Sequence, residues 1–186
     1  CKSVSVLARA QIGPNEGKKI KNNDKVNFKR NSSNEKNFTT KVISEKKEII
    51  RVLQGSQFNY FSKQSQDNFF KKYYKITNLT DRMGMRLEGP SISNIVSANI
   101  RSEGITKGAI QVPADGQPII LLTDYPTIGG YPKISNIISA DYHVLVQKVP
   151  GEKVLFKNVE LREAEQLYKE HLNNISETIK KIKEIN

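Results

Sequence analysis

The sequence has few of the residue types on which many functional sites depend. Among its 186 residues there is one cysteine, Cys1, no tryptophan and only two histidines, His143 and His171. A single cysteine excludes an intramolecular disulfide framework and a thiolate metal cluster. The two histidines have no partners at the spacing of a zinc motif, so we expect no metal site.

Long apolar runs are also absent. None approaches the roughly 20 residues that a membrane-spanning helix needs. The hydrophobic fraction of 37% is low but sufficient for a folded core. We therefore expect no membrane partner and a cytoplasmic location, and the length fits one domain of ordinary size with appendages.

The positive charge is concentrated in the first 80 residues. They carry 17 Lys/Arg and 6 Asp/Glu, whereas residues 81–186 carry 13 of each. A basic half suggests nucleic-acid binding. Most of these residues, however, are lysines scattered among Asn and Ser, without an RNP-like, zinc-finger or helix-turn-helix pattern. We therefore favour a solvated surface and expect no nucleic-acid partner.

Composition divides the chain into four parts. Residues 1–30 indicate short strands and turns, and residues 31–48 indicate a polar linker or long loop. Residues 49–159 contain short strands separated by Gly and Pro, which predicts a mainly β fold with a closed or sandwiched antiparallel sheet. Residues 160–186 predict a C-terminal α-helix, because apolar side chains recur there in steps of three, four and seven. We expect this apolar stripe to pack within the chain.

The periodicity of apolar residues and the positions of Gly and Pro also predict individual elements. Strands are expected at residues 49–53, 73–76, 85–87, 110–112, 119–123, 141–149 and 153–156. Helical patches are expected near residues 58–61 and 66–70. Residues 132–140 are predicted to form a short helix or turn, because Ile134, Ile137 and Ile138 have helical spacing.

Residues 108–133 form the segment most typical of a binding site. A short apolar run from Ile119 to Leu122 leads into a turn that contains Gly129 and Gly130. Glycines lack side chains, so the backbone there can approach a ligand or adopt positive φ. A tight hairpin that needs glycine for its geometry explains the pair equally well.

Asp124 and Tyr131 are the candidate catalytic residues of this segment. Asp124 follows the predicted strand, where a rigid sheet positions a loop residue as a polar anchor or base. The alternative is an aspartate that caps a turn. Tyr131 offers a hydroxyl to a developing charge, or else packs as a turn aromatic. Thr127 is a further candidate for substrate binding, with weaker support.

Two arginines are candidates for binding an acidic group. Arg82 and Arg86 flank Gly84 in a predicted strand, and residues i and i+4 of a strand share a face, so both guanidinium groups are expected to reach one cleft. Guanidinium groups bind carboxylate or phosphate through two hydrogen bonds. The alternative pairs them with Asp81 and Glu88 on a solvated surface.

Two glutamines are candidates for binding an amide. Gln111 and Gln147 each offer a donor and an acceptor, which suit an amide or ureido group. Buried glutamines that satisfy loop backbone are the alternative. The sequence contains no Ser-His-Asp order, no Gly-x4-Gly-Lys-[Ser/Thr] loop and no metal-ligand spacing.

Several ordered segments resemble one known family. They are the Ile-Arg-Val-Leu-Gln-Gly run at 50–55 followed by Phe61, and residues 81–89, 108–113, 116–118 and 127–132, with Gln147 and the Pro-Gly pair at 150–151. Together they resemble the biotin-dependent carboxyltransferase-like family over about residues 50–156. Pro126 departs from the family pattern, which commonly places glutamine before Thr127.

The resemblance implies a fold and a function. It implies a cyclophilin-like β-barrel in a subunit of an ATP-dependent amide or lactam hydrolase or carboxyltransferase complex, similar to allophanate hydrolase subunit 2 or to the C subunit of 5-oxoprolinase. Its implied partners are subunit 1 of the complex and a small amide or urea-like substrate, and its implied cofactors are ATP and carboxybiotin carried by a partner. It also favours a functional role for Arg86 and makes residues 1–30 a remnant of an upstream domain.

Two alternatives to this function stay open at the level of the sequence. One is a non-catalytic binding module that sequesters a subunit-1-like partner. The other is a truncated relic that keeps the fold without activity.

Overall fold

The computed structural model describes residues 11–12, 15–25, 37–39 and 47–185. Much of the predicted upstream remnant (1–30) and linker (31–48) lies outside these residues, and the division of the chain into four parts stays a prediction. The chain forms two compact units, residues 1–37 with residue 186, and residues 38–185. In the first unit a short 3-10 helix spans Asn15–Gly17, and the backbone N–H of Lys21 donates to the Asp24 carboxylate at 2.7 Å.

The second unit is built on a closed barrel. The strands are β1 (Asn37–Thr39), β2 (Ile49–Gln54), β3 (Tyr74–Thr80), β4 (Gly84–Glu88), β5 (Glu103–Gly104), β6 (Ala109–Gln111), β7 (Ile119–Leu121), β8 (Ile128–Gly129), β9 (Lys133–Ile137), β10 (Lys153–Asn158) and β11 (Lys183–Ile185). Seven of them close the barrel in the order β10-β2-β9-β6-β7-β4-β3. The β10–β2 pair is parallel and the other barrel pairs are antiparallel. Outside the barrel, β5 pairs with β8 and β1 with β11.

Alternating apolar side chains fill the barrel interior. Successive residues of a strand point to opposite faces, so every second residue enters the core. The completely buried pairs that follow this rule are Ile50 and Val52 in β2, Met85 and Leu87 in β4, and Val154 and Phe156 in β10. The predicted mainly β barrel is thereby confirmed.

In the described part of the chain, three α-helices accompany the barrel, α1 (Lys63–Lys71), α2 (Ser139–Leu145) and α3 (Leu161–Lys180), and a 3-10 helix spans Phe58–Tyr60. Ser62 caps α1, because its hydroxyl accepts a hydrogen bond from the Ser65 backbone N–H. Phe69 of α1 stacks on Phe156 with ring centroids 4.6 Å apart. Among the described residues, no helix is long and apolar enough to cross a membrane.

Two predicted elements near residue 140 are wrong. Residues 133–137 form strand β9 rather than a helix, because β9 lies between β2 and β6 and is buried along most of its length. Residues 139–145 form α2 rather than a strand, because Ala140, Val144 and Leu145 create a buried helical face.

Asp141 fixes α2 to the barrel. Its carboxylate is completely buried and accepts hydrogen bonds from the Arg51 backbone N–H at 2.9 Å and from Arg51 Nε at 2.8 Å. Burial alone would raise the pKa of Asp141, but the Arg51 side chain and backbone outweigh that effect and hold this pKa below its ordinary value.

The predicted C-terminal helix is confirmed, but its apolar stripe does not pack within the chain as expected. Only Ala164 and Leu167 of α3 join a buried cluster, with Ile138, Ala140 and Val159. All six residues of the predicted stripe are between 41% and 61% exposed, namely Leu161, Tyr168, Leu172, Ile175, Ile179 and Ile182. Only the first turns of α3 therefore pack against this cluster.

Candidate functional site

A cleft of about 490 Å³ opens beside strands β3, β4, β6 and β7. It is lined by Asn78, Leu79, Thr80, Asp81, Met83, Gly84, Arg86, Gln111, Ile119, Leu121, Pro126 and Tyr131. Three of the predicted site residues, Arg86, Gln111 and Tyr131, therefore line one cleft. They come from three separate segments of the sequence, which the barrel brings together.

Gln111 is the buried polar group of this cleft. Its side chain is 5% exposed, and its Nε2 is buried without a hydrogen-bond partner. The β6–β9 register shifts here, from Ile110 opposite Ser135 to Gln111 opposite Lys133. Such bulges re-aim side chains and are common next to active sites. A buried amide donor without an acceptor costs about 1–3 kcal/mol, so a ligand acceptor that reached Nε2 would recover this cost.

Gly129 and Gly130 pack closely against other parts of the chain. A Cβ on Gly129 would lie 2.7 Å from Gln111 Nε2, so glycine lets the backbone pass close to this amide. A Cβ on Gly130 would lie 3.2 Å from the Ile100 carbonyl, and the Gly130 carbonyl accepts a hydrogen bond from the Ile100 N–H at 2.8 Å. Neither glycine has positive φ. Their close contacts are with protein groups, and a role in substrate binding stays a prediction.

Arg86 lies in the cleft with a carboxylate partner. Its Nη1 donates to Asp115 Oδ2 at 2.7 Å, and its side chain remains one-third exposed. The backbone N–H of Gln117, together with Arg86, holds the pKa of Asp115 below its ordinary value. Asp115 therefore stays ionised at neutral pH, and it lies opposite Arg86 in the manner of an acidic ligand group.

Arg82 does not enter the cleft, contrary to the expectation that it shares a face with Arg86. Strand β4 begins at Gly84, so Arg82 lies in the preceding turn, where strand alternation does not apply. There it forms a two-pronged ion pair with Asp124, at 2.8 Å from Nε and 3.1 Å from Nη2. Asp124 is likewise absent from the cleft lining. Met83, which lies in the same turn as Arg82, does line the cleft.

Gln147 and Thr127 also lie away from the cleft lining. Gln147 follows α2, and its side-chain amide donates to the His143 carbonyl at 3.0 Å, one helical turn back. It is displaced from the predicted position because residues 141–149 are not a strand. Thr127 is exposed, and its carbonyl accepts a hydrogen bond from the Ile105 N–H at 3.1 Å.

Asp115, the partner of Arg86, was not predicted from the sequence. Its signal was present, since Asp115-Gly116 is a turn dipeptide. Gly116 has φ of +74°, and Asp115 Oδ1 accepts from the Gln117 N–H at 3.0 Å. This turn presents the second oxygen of Asp115 to Arg86. The register shift that orients the Gln111 side chain leaves no signal in the local sequence.

The site is a mainly apolar cleft whose polar lining includes the unpaired Gln111 amide, the Arg86 guanidinium and the Tyr131 hydroxyl, together with Asn78, Thr80 and Asp81. These groups suit a neutral amide carbonyl together with one carboxylate. Among the described residues, no group of three or more His, Cys, Asp or Glu side chains is placed to hold a metal ion.

The closed barrel places the chain in one class of protein, the carboxyltransferase-type barrels. The chain belongs to the family described as "Carboxyltransferase domain, subdomain A and B", whose model matches residues 1–158. The resemblance found in the sequence is thereby confirmed.

Curated relatives and solved structures agree with this membership. The chain is 34% identical to the 5-oxoprolinase C subunit of Haemophilus influenzae, over 89% of this chain and 53% of that protein. It is 33% identical to the 5-oxoprolinase C subunit of Escherichia coli, over 87% and 52%. The crystal structure of the Kluyveromyces lactis urea carboxylase matches 70% of this chain and 12% of that chain, with a TM-score of 0.66 and 24% identity, which concerns the fold alone. The chain spans about half the length of the curated relatives it matches.

Proposed function

We propose that this chain supplies a substrate-binding cleft to a multi-subunit enzyme that acts on a lactam or urea-like amide. The observation that carries the proposal is the unpaired, buried Nε2 of Gln111, which shares a cleft with Arg86. The relatives named as 5-oxoprolinase subunits make a lactam acid the first substrate to consider.

A lactam acid such as 5-oxoproline has the two groups that the cleft can recognise. Gln111 Nε2 donates a hydrogen bond to the lactam carbonyl, and Arg86 pairs with the carboxylate in place of Asp115. The Tyr131 hydroxyl is proposed as a donor to charge that develops on the carbonyl oxygen. Asp124 does not line the cleft, so its proposed role as a polar anchor or base needs a separate test.

Carboxybiotin on a partner fits the same donor set, whereas ATP does not. The N-carboxylated ureido group of carboxybiotin combines an amide-like carbonyl with a carboxylate, which Gln111 and Arg86 would hold. A triphosphate requires several cations or backbone donors. Arg86 is the one cation among the described lining residues, and Asp81 adds negative charge there. If the complex uses ATP, we propose that another part of the assembly binds it.

The remaining parts of the active site are proposed to come from a partner, subunit 1 of the same complex, in the cytoplasm. The residues of this cleft are proposed to bind and orient the substrate, and the groups that activate water or a nucleophile are proposed to come from the partner. We therefore expect little or no turnover by the isolated chain.

Isothermal titration calorimetry with three related probes tests the proposal. Wild type should bind 5-oxoproline more tightly than proline, which lacks the lactam carbonyl, and more tightly than 2-pyrrolidinone, which lacks the carboxylate. Gln111→Leu should weaken the binding of 5-oxoproline by about three- to tenfold, which corresponds to one net hydrogen bond, and should leave the affinity for proline unchanged. Equal affinity of all three probes for wild type would contradict the proposal.

A second candidate function is the non-catalytic binding module, which the exposed stripe of α3 favours. Large exposed apolar patches commonly mark protein contacts. Purified subunit 1 should then bind the chain in size-exclusion chromatography and lose binding when Leu172 and Ile175 are both changed to Lys. Formation of this complex without any turnover of 5-oxoproline or allophanate would place the sequestering module ahead of the enzyme subunit.

A further inference from the structure

A second cavity, of about 280 Å³, lies between the end of β9, α2 and α3. It is lined by Lys107, Asn136, Ile137, Ser139, Tyr142, His143 and Tyr168, and shares none of these with the first cleft. Its size is close to the lower end of known small-molecule sites, about 300 Å³.

Two residues of α2 that line this cavity carry unsatisfied polar groups. The Tyr142 hydroxyl and His143 Nδ1 are both buried without a hydrogen-bond partner. Buried polar groups in folded proteins are nearly always hydrogen-bonded, so two such groups on adjacent residues need an explanation. Asn136, by contrast, is satisfied, since its Oδ1 accepts from the Thr106 hydroxyl at 3.1 Å and its Nδ2 donates to the Ile137 carbonyl at 3.2 Å.

The charge at the cavity is positive. Lys107 is the charged residue among those that line it, and its ammonium lies 4.7 Å from the centroid of the Tyr142 ring. The carboxylate adjacent to Tyr142 in sequence, Asp141, is bound to Arg51 and cannot neutralise Lys107. Gly108, with φ of +85°, anchors the turn that carries Lys107.

The histidine of the cavity is also held in place. The His143 ring stacks on His171 of α3 with centroids 4.4 Å apart and an interplanar angle of 22°. The side chains of Ile137 and Tyr168 form an apolar part of the cavity wall. A rigid, half-apolar cavity with one cation and two unsatisfied polar groups is the arrangement expected for a small monoanion with an organic body.

We propose that this cavity binds a small organic carboxylate. The Tyr142 hydroxyl donates to one carboxylate oxygen, and Lys107 lies near the charge. His143, as the neutral tautomer with its proton on Nδ1, donates to the second oxygen. One cation with two neutral-type donors matches a singly charged carboxylate better than a phosphate dianion, which would call for more cations.

Calorimetric titration of the full chain with benzoate tests the proposal. Benzamide serves as the neutral isostere and inorganic phosphate as the competing anion. Benzoate should bind wild type at least tenfold more tightly than either. Tyr142→Phe, which keeps the ring under Lys107, and Lys107→Met should each weaken benzoate roughly tenfold, as expected for a charge-assisted contact.

Matched control variants distinguish the loss of this site from general effects of substitution on benzoate binding. Tyr60→Phe and Lys72→Met change exposed residues of the same types outside the cavity and should leave benzoate affinity unchanged. Benzoate affinity that survives both Tyr142→Phe and Lys107→Met, or that is lost in Arg86→Gln instead, would assign the anion to the first cleft and overturn the proposal. Preference for phosphate or for benzamide would overturn it as well.

Discussion

Gly129 and Gln111 are in such close contact that a methyl group on Gly129 would lie 2.7 Å from Gln111 Nε2. The same methyl group would lie 3.1 Å from Ile105 Cδ1. Glycine at position 129 thus leaves the space that the Gln111 side chain occupies. It links a feature that is visible in the sequence to a group whose importance only the fold reveals.

Gly129→Ala should displace the Gln111 amide and weaken the binding of 5-oxoproline. The nearest atoms, Gln111 Nε2 and Ile105 Cδ1, are ends of side chains that can move to make room for the methyl group. We therefore expect a loss of only about 1 kcal/mol in the free energy of unfolding, the low end of the cost of overpacking. Calorimetry and urea denaturation measure the two effects. Gly104→Ala is the matched control, because a Cβ there meets nothing within 4 Å. If Gly129→Ala bound 5-oxoproline like wild type, Gln111 would not be the recognition group.

Asp141→Asn should destabilise the barrel more at neutral pH than in acid. Removing one partner of a buried ion pair typically costs about 3–5 kcal/mol. The pKa of Asp141 is lowered in the folded state, so its stabilising effect is present above its unfolded pKa of about 3.9 and is lost as the pH falls through the folded value.

Urea denaturation at pH 7 and pH 3 tests this pH dependence. The difference in the free energy of unfolding between wild type and Asp141→Asn should be smaller at pH 3 than at pH 7. Asp67→Asn is a suitable control, since Asp67 forms an exposed pair with Lys71 and should change stability by less than about 1 kcal/mol at either pH. A gap between wild type and Asp141→Asn that stays constant would show that the ionised form is not favoured by folding.

Asp124→Asn should show whether Asp124 acts in catalysis or only forms its exposed ion pair with Arg82. The pair with Arg82 is exposed, so its loss should change the free energy of unfolding by no more than about 1 kcal/mol. If Asp124 is a positioned base or anchor in the assembled enzyme, the same change should reduce turnover by about 10²–10⁴-fold. Asp67→Asn should leave turnover unchanged. Full activity of Asp124→Asn in the reconstituted complex would limit Asp124 to its ion pair.

Much of the barrel was predictable because its strands alternate clearly. Ile50 and Val52, or Met85 and Leu87, show the period of two that a half-buried strand requires. The segment around residue 140 was not predictable in this way. Strand β9 is buried on both faces and loses its alternation, while α2 is short and gains its stability from the contact between Asp141 and Arg51.

The site was predictable only in part, for a similar reason. Arg86, Gln111 and Tyr131 were identified by residue type, and the closed barrel brings them together. Arg82 was placed by extending a strand back over residue 82, whereas β4 begins at Gly84. Gln147 was placed in a strand that does not form. The unpaired state of Gln111 depends on a bulge between strands distant in sequence, which a local pattern does not encode.

The most direct measurement is an NMR titration that follows the side-chain amide of Gln111. Its ¹⁵N–¹H signals are assigned by their disappearance in Gln111→Leu. Addition of 5-oxoproline should shift these signals in a saturable way, with the same dissociation constant as calorimetry, and proline should not shift them. If 5-oxoproline bound while the Gln111 signals stayed in place, the cleft would not recognise its ligand through this amide.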